Sequence, residues 1–151
     1  MTRILRHPAV NACCLSLFTA FYTAVFLLAS SIIRRGGIVA YGEQQNAADT
    51  FWTGWCSFLA AGHHIYIAYA MMILTAVVVA LLVWRRHPYD EYHTALLAQC
   101  LIVAVIVTLA AIAVFFVLIL NDPAGITVKF TLFISIHWIT VVLADLVYVL
   151  L

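Results

Sequence analysis

The sequence predicts an all-α integral membrane protein, a four-helix up-and-down bundle that forms a single transmembrane domain over residues 1–151. Of the 151 residues, 67% are hydrophobic and only 9% are charged, whereas a soluble domain has about 25% charged residues. Four long apolar segments alternate with short polar connections. Because backbone groups inside lipid must be satisfied within their own segment, each apolar segment is expected to be a helix.

The second apolar segment, at 63–84, has the clearest boundaries. It contains no charged residue, and a helix over 65–84 reaches about 30 Å, the thickness of the hydrocarbon layer. Two histidines mark its beginning, and two arginines, a histidine and a proline follow its last residue. The pattern predicts the second membrane span.

The first span is predicted at 8–33. Its apolar run exceeds the ~7–15 residues of a cleavable signal, so we expect an uncleaved helix. Pro8 suits the first turn of this helix. Small side chains recur at helical spacing and are expected to form a face for close helix packing. These are Cys13, Ser16, Ala20 and Ala24.

An aromatic segment at 50–61 precedes the second span. One helix over 51–84 would measure about 51 Å, so it either projects from the membrane or breaks. We favour a break near Gly62, which places the segment at the membrane interface with Trp52 and Trp55 in an aromatic belt. The face of the second span expected to point inward carries Gly62, Tyr66, Tyr69, Ile73, Ala76 and Ala80.

The third and fourth spans are predicted at 94–120 and 127–151. A turn of composition Asn-Asp-Pro-Ala-Gly separates them. Ala104, Thr108 and Ala111 lie on one stripe of the third span and predict a second close-packing face. The fourth span is the only one with an ionisable side chain near its centre.

The basic residues predict the sidedness of the protein. Four spans place both termini on one side, and basic residues favour the cytoplasmic side. We therefore expect a multi-pass cell-membrane protein whose N- and C-termini are cytoplasmic. The inner group is Arg3, Arg6, Arg85 and Arg86, and the outer group is Arg34, Arg35 and Lys129.

Composition and motifs exclude several classes of function. The net charge of +1 is not that of a nucleic-acid-binding protein, so the expected partners are the lipid bilayer and other membrane helices. No P-loop, G-x-G-x-x-G, G-x-S-x-G or H-E-x-x-H motif is present, and no C-x-x-C pair occurs. These absences favour a non-enzymatic protein.

Two residues of the fourth span are candidates for proton or cation stations. His137 lies near the middle of the membrane, and Asp145 is the only carboxylate in a predicted span. Ionisable groups at such depth suggest a functional site. The two residues are about 12 Å apart along the helix and ~80° apart around it, so they cannot touch. Asp145 instead shares its stripe with Thr131, Ser135 and Trp138, and the hydroxyls of Thr131 and Ser135 are expected to act as further stations.

Histidines also suggest two metal or haem sites. His63 or His64 could approach His137 and form a two-histidine site for haem or a transition metal. Polar side chains reaching into the headgroup zone are the alternative interpretation of this pair. A second metal candidate combines imidazole and carboxylate groups in one short connection. Its members are His87, Asp90, Glu91 and His93.

Three function classes follow from these observations. The preferred class is a non-enzymatic bundle that binds, assembles or regulates, either as a homo-oligomer or as a subunit of a membrane complex. The second is a proton or cation channel or transporter that uses Asp145 and His137. The third is a haem- or metal-binding redox protein that uses His137 with His63 or His64.

Overall fold

The structure, a computed structural model, describes residues 8–37, 50–84, 91–121 and 125–150. The described residues are almost entirely helical and contain no strand, which confirms the all-α prediction. The α-helices are α1 (Pro8–Ile32), α2 (Thr50–Ala60), α3 (His64–Trp84), α4 (Glu91–Asn121) and α5 (Ile126–Leu150). A π-helical turn, Ile33–Gly37, continues α1.

Four segments are long and apolar enough to cross a membrane, as predicted. They lie in α1, α3, α4 and α5 and coincide with the four expected spans to within a few residues. Their bounds are Ala9–Arg35, His64–Trp84, Ala95–Asn121 and Ile126–Leu150.

The predicted break near Gly62 is present between α2 and α3. Gly62 has a φ of 91°, a left-handed conformation that side chains with a Cβ rarely adopt. Around it the amide of His63 donates to the Phe58 carbonyl at 3.3 Å, and the amide of Gly62 donates to the Leu59 carbonyl at 3.1 Å. This pairing is a Schellman motif, which ends α2 and satisfies its last carbonyl groups.

Three of the long helices, α1, α3 and α5, form the packed centre of the protein. Phe26, Met71 and Val142 are fully buried there, one from each helix. Thr19 and Thr23 of α1 meet Thr75 and Met71 of α3, so the two helices run antiparallel. The α5 helix contacts α1, α2, α3 and α4, and its position therefore organises the whole arrangement.

The buried positions of α5 recur every three or four residues. This spacing keeps one stripe of a helix against its neighbours over the full helix length. The stripe contains polar as well as apolar side chains. Its members along the centre of the helix are Thr131, Ile134, Trp138, Val142, Asp145 and Val149.

The α4 helix lies at the edge of the assembly, which differs from a bundle with four equivalent helices. It packs on α5 and makes at most marginal contact with α1 and α3. Only 6% of its most apolar segment is buried, against about 30% in the other spans. Ala104 is buried and Thr108 and Ala111 are half-buried, so the predicted packing stripe of this helix is confirmed.

The small-residue face of the first span does not pack within the described chain, and the inward face predicted for the second span is wrong. Cys13, Ser16, Ala20 and Ala24 are exposed, and α1 instead packs through the face that carries Thr19 and Phe26. Five of the six residues expected inward on the second span are exposed, and Gly62 is half-buried; Ala68, Met71, Thr75, Val78 and Leu82 are buried instead. A helix that is apolar all round gives no signal for which face is inward.

A matched pair of alanines tests the inward face of α3. Ala68 is 3% exposed, and Ala76 is exposed on a different face of the same helix. Ala68→Leu is expected to lower the free energy of unfolding by about 1–3 kcal/mol through overpacking, and Ala76→Leu by less than about 0.5 kcal/mol. Unfolding of the detergent-solubilised protein by titration with a denaturing detergent measures both. Equal effects of the two substitutions would contradict the assignment of the inward face.

Candidate functional site

The polar side chains of the spans meet one another along α5. Transmembrane helices associate through packing and interhelical hydrogen bonds, because lipid is as apolar as their own side chains. Hydrogen bonds from α5 reach α1 and α2, and Thr19 of α1 extends the network to α3. The candidate functional region is therefore the inner stripe of α5 and the side chains that meet it.

The middle level of this region contains a three-residue network. The hydroxyls of Thr19 and Thr75 are 2.8 Å apart, and the Trp138 Nε1–H donates to the Thr19 hydroxyl at 3.1 Å. All three residues are buried. The network places the centres of α1, α3 and α5 at one level, and Thr19 is the hub because it bonds to both partners.

His137 lies one residue before this network but on a different face of α5. Its Nδ1 is hydrogen-bonded to the Tyr22 hydroxyl of α1. The Phe18 ring stands edge-on to the imidazole with ring centroids 5.9 Å apart, and the Phe133 ring stacks at 6.0 Å. His137 is half-buried, so part of its ring faces outward between its aromatic neighbours.

Asp145 lies two turns beyond Trp138 and is 6% exposed. The side chain of Asn11 approaches its carboxyl group, and the Asn11 Nδ2 is itself buried without a partner of full hydrogen-bond geometry. No basic side chain interacts with the carboxyl among the described residues. The structure therefore encloses Asp145 inside the protein, next to an amide rather than a cation.

Thr131 and Ser135 lie on the same helix toward its beginning. The Thr131 hydroxyl accepts a hydrogen bond from the Trp55 Nε1–H of α2 at 3.1 Å and donates to the Val128 carbonyl. The Ser135 hydroxyl donates to the Thr131 carbonyl at 3.0 Å. Nearby, the Lys129 ammonium lies 5.9 Å from the ring centroid of Trp52. These contacts attach α2 to α5.

The proposed ion stations are thus distributed over two faces of α5. Thr131 and Asp145 share the buried stripe with Trp138, at intervals of about 10 Å along the axis, as the sequence predicted. His137 belongs to the junction with Tyr22. Between the levels of Thr131 and Asp145 the stripe contains apolar side chains such as Ile134 and Val142.

The structure does not bring His63 or His64 together with His137. Thr75 and Trp138 both meet Thr19 and so share one level, whereas His64 precedes Thr75 by about 16 Å along α3. His64 is buried, and its Nδ1 lies 3.0 Å from the Leu59 carbonyl. His63 is exposed and stacks on the Tyr66 ring. The expected two-histidine site is therefore not formed within the chain.

The second metal candidate falls largely outside the described part of the chain. His87 and Asp90 lie outside it, as do the side chains of Glu91 and His93. Among the described residues, no group of three or more histidine, cysteine, aspartate or glutamate side chains is arranged to hold a metal ion.

Several residues of this region were not identified from the sequence. Asn11, Thr19, Tyr22 and Thr75 are single polar residues within apolar spans, and their partners lie far away in the chain. Their occurrence in apolar segments was a usable signal, because a polar group in hydrocarbon requires a partner. The sequence did not identify which residue each of them pairs with.

No family model, no curated protein and no solved structure matches the chain. The residue contacts themselves must carry any assignment of function.

The hub role of Thr19 gives a stability prediction. Thr19→Val leaves two polar groups unpaired and is expected to lower the free energy of unfolding by about 1–2 kcal/mol, and Thr75→Val by about 0.6 kcal/mol. Thr140→Val removes only a hydroxyl that bonds within its own helix and serves as the control. Unfolding in mixed micelles measures all three, and a Thr75 effect as large as that of Thr19 would argue against the hub.

Proposed function

We propose that the chain is a multi-pass protein of the cell membrane that acts as a non-enzymatic binding, assembly or regulatory bundle. It works as a homo-oligomer or as a subunit of a larger membrane complex. The observation that supports this proposal is the outward orientation of Ser16, Ala20 and Ala24 on α1. Small residues at this spacing let a neighbouring helix approach closely, and none of the helices described in the structure covers that face.

The one-sided packing of α4 supports the same proposal. This helix makes its main contact with α5 alone, and its remaining surface is free for lipid or for another subunit. Gln99, an amide within the apolar part of α4, is exposed and forms no hydrogen bond with the described residues. An amide at such a position gains from a partner on a neighbouring helix.

The proposed topology has four spans that cross in alternating directions. Two observations support this order. The α1 helix pairs antiparallel with both α3 and α5, and Phe115 near the end of α4 contacts Phe130 near the start of α5. Asn11 and Asp145 meet near opposite ends of the chain, so both termini lie on one side. The basic-residue distribution favours the cytoplasm for that side.

A substitution on the outward face of α1 tests the assembly proposal. The wild-type protein in lipid nanodiscs is expected to form a defined oligomer or to retain a co-purifying subunit. Ala20→Leu removes the close approach and is expected to weaken association about tenfold, which corresponds to ~1.4 kcal/mol. Mass measurement of the extracted particles provides the readout.

Ala70→Leu is the matched control, because Ala70 is exposed on α3 and lies outside the small-residue face. It should leave the particle mass unchanged. A wild-type protein that is strictly monomeric and without a co-purifying subunit, or an Ala20→Leu protein with unchanged mass, would contradict the proposal.

The burial of Asp145 favours proton or cation transport as a second candidate function. A carboxyl enclosed in the membrane without a cationic partner among the described residues has the properties of a proton or cation station. The hydroxyls of Thr131 and Ser135 would lie on the same route, and His137 would be a separate station. A single chain offers little room for a pore, so this function also needs an oligomer.

Flux measurements in liposomes test the second candidate. Asp145→Asn keeps the shape of the side chain but removes its exchangeable proton and charge, so proton or cation flux is expected to fall to the level of empty liposomes. Leu143→Ala, at an exposed position on the outer face of α5, should retain flux. If Asp145→Asn and His137→Ala both leave flux unchanged, the transport hypothesis is wrong.

The third alternative, a haem- or metal-dependent redox protein that uses His137 with His63 or His64, gains no support from the contacts. The separation of about 16 Å between the levels of these histidines prevents them from sharing one iron or metal ion within a chain.

A further inference from the structure

His137 and Tyr22 form a polar pair in the middle of the membrane, at the edge of the packed centre. His137 lies about 16 Å from the first residue of α5 and about 20 Å from the last. It is next in sequence to Trp138, whose network marks the middle level of α1, α3 and α5. Both residues of the pair are half-buried, so the pair is not enclosed by the protein.

The hydrogen bond between the two residues leaves one group of the imidazole without a partner. Neither His137 nor Tyr22 makes another hydrogen bond with the described residues. If the Tyr22 hydroxyl donates to Nδ1, only the Nε2–H is unsatisfied. The opposite arrangement leaves both the phenolic O–H and the Nε2 lone pair unsatisfied. The first arrangement is favoured, and it gives His137 a free N–H donor.

His137 lies on α5 between α1 and α4, and the surface between these two helices is called the groove. Both helices pack on α5, but they make at most marginal contact with each other. Aromatic rings line the groove on three sides: Phe18 on α1, Phe133 on α5, and Phe115 of α4, which stacks on Phe133 with ring centroids 4.8 Å apart. Phe115 of α4 contacts Phe130 and Phe133 of α5. With the two helices aligned in this way, Thr108 and Ala111 lie near the level of His137. Small side chains therefore border the groove on α4.

Phospholipid does not provide a hydrogen-bond acceptor for the His137 N–H in this groove. At this depth a lipid offers only hydrocarbon, and its ester carbonyls lie near the interfaces, so the N–H of His137 would remain unsatisfied. A molecule that fits must be lipophilic, must carry a hydrogen-bond acceptor at mid-membrane depth, and gains from a flat ring beside the three phenylalanines.

We propose that the groove between α1 and α4 binds a membrane-dissolved quinone-type molecule, whose ring carbonyl accepts a hydrogen bond from the Nε2–H of His137. The flat ring lies against Phe18, Phe133 and Phe115, and the alkyl tail extends along α4 into lipid. Tyr22 is a positioning residue, because its hydroxyl holds the imidazole in the tautomer that donates. This binding goes beyond the assembly function and does not depend on it.

Photolabelling of the full chain in lipid nanodiscs tests the proposal. The probe is a benzoquinone that carries an alkyl chain and a photoreactive azide. Labelling is expected to saturate and to map to the segments around Phe18, Phe115 and Phe133. Unlabelled alkyl benzoquinone should compete, whereas an alkylbenzene with the same chain, which lacks the carbonyl oxygens, should not. Competition by the alkylbenzene at equal concentration, or labelling that does not saturate, would overturn the proposal.

Variants of the donor identify the hydrogen bond. His137→Phe keeps a flat ring but removes the N–H, and half-saturation is expected to need about tenfold more probe. His137→Gln retains an N–H donor and should recover most of the affinity. Tyr22→Phe should weaken binding less than His137→Phe does.

Thr140→Val is the matched control on α5, since the Thr140 hydroxyl bonds within its own helix, and it should bind as the wild type does. Equal affinity of His137→Phe and the wild type would refute the role of His137. The competition experiment on the wild-type protein decides the proposal independently if a variant does not fold.

Discussion

A polar group in the hydrocarbon layer must find its partner inside the protein, and this constraint sets the arrangement of the helices. Apolar contacts alone do not determine how two helices align, because a leucine is as well solvated by lipid as by a neighbouring leucine. The hydrogen bonds among Thr19, Thr75 and Trp138 form only when the helices are aligned at the right level. They fix the level at which α1, α3 and α5 meet.

The same constraint explains why the helices are not equivalent. Several polar side chains of α5 interact with polar side chains of other helices. Their partners are Asn11, Thr19 and Tyr22 on α1 and Trp55 on α2. The α4 helix packs on α5 through Ala104 and the stacked Phe115 and lies at the edge of the assembly. A helix at the edge is suited to meet lipid, a ligand or another subunit.

Three positions where the constraint is not met among the described residues are the basis of the functional proposals. The Nε2 of His137, the amide of Gln99 and the Nδ2 of Asn11 all lack a full partner among the described residues. His137 and Gln99 are open to the outside, so their partners can come from a ligand or another subunit. Asn11 and Asp145 satisfy each other incompletely inside the protein, and this pairing is the basis of the proposed proton or cation station.

The sequence by itself determined the number and the extent of the spans, because the length of an apolar run is compared directly with the thickness of a bilayer. It also predicted the break near Gly62, since one helix over 51–84 would exceed the bilayer thickness and glycine lowers helix propensity. His137 and Asp145 were recognisable because ionisable residues are rare at such depth.

Only the tertiary structure decided which faces pack and which residues meet. The small residues of α1 point outward and Thr19 points inward, although both occur in a helix that is apolar on every side. Lipid and protein interior attract apolar side chains about equally, so the pattern of hydrophobic residues contains no information about the inward face. Partners such as Asn11 and Asp145 are separated by nearly the whole chain, and no local rule connects them.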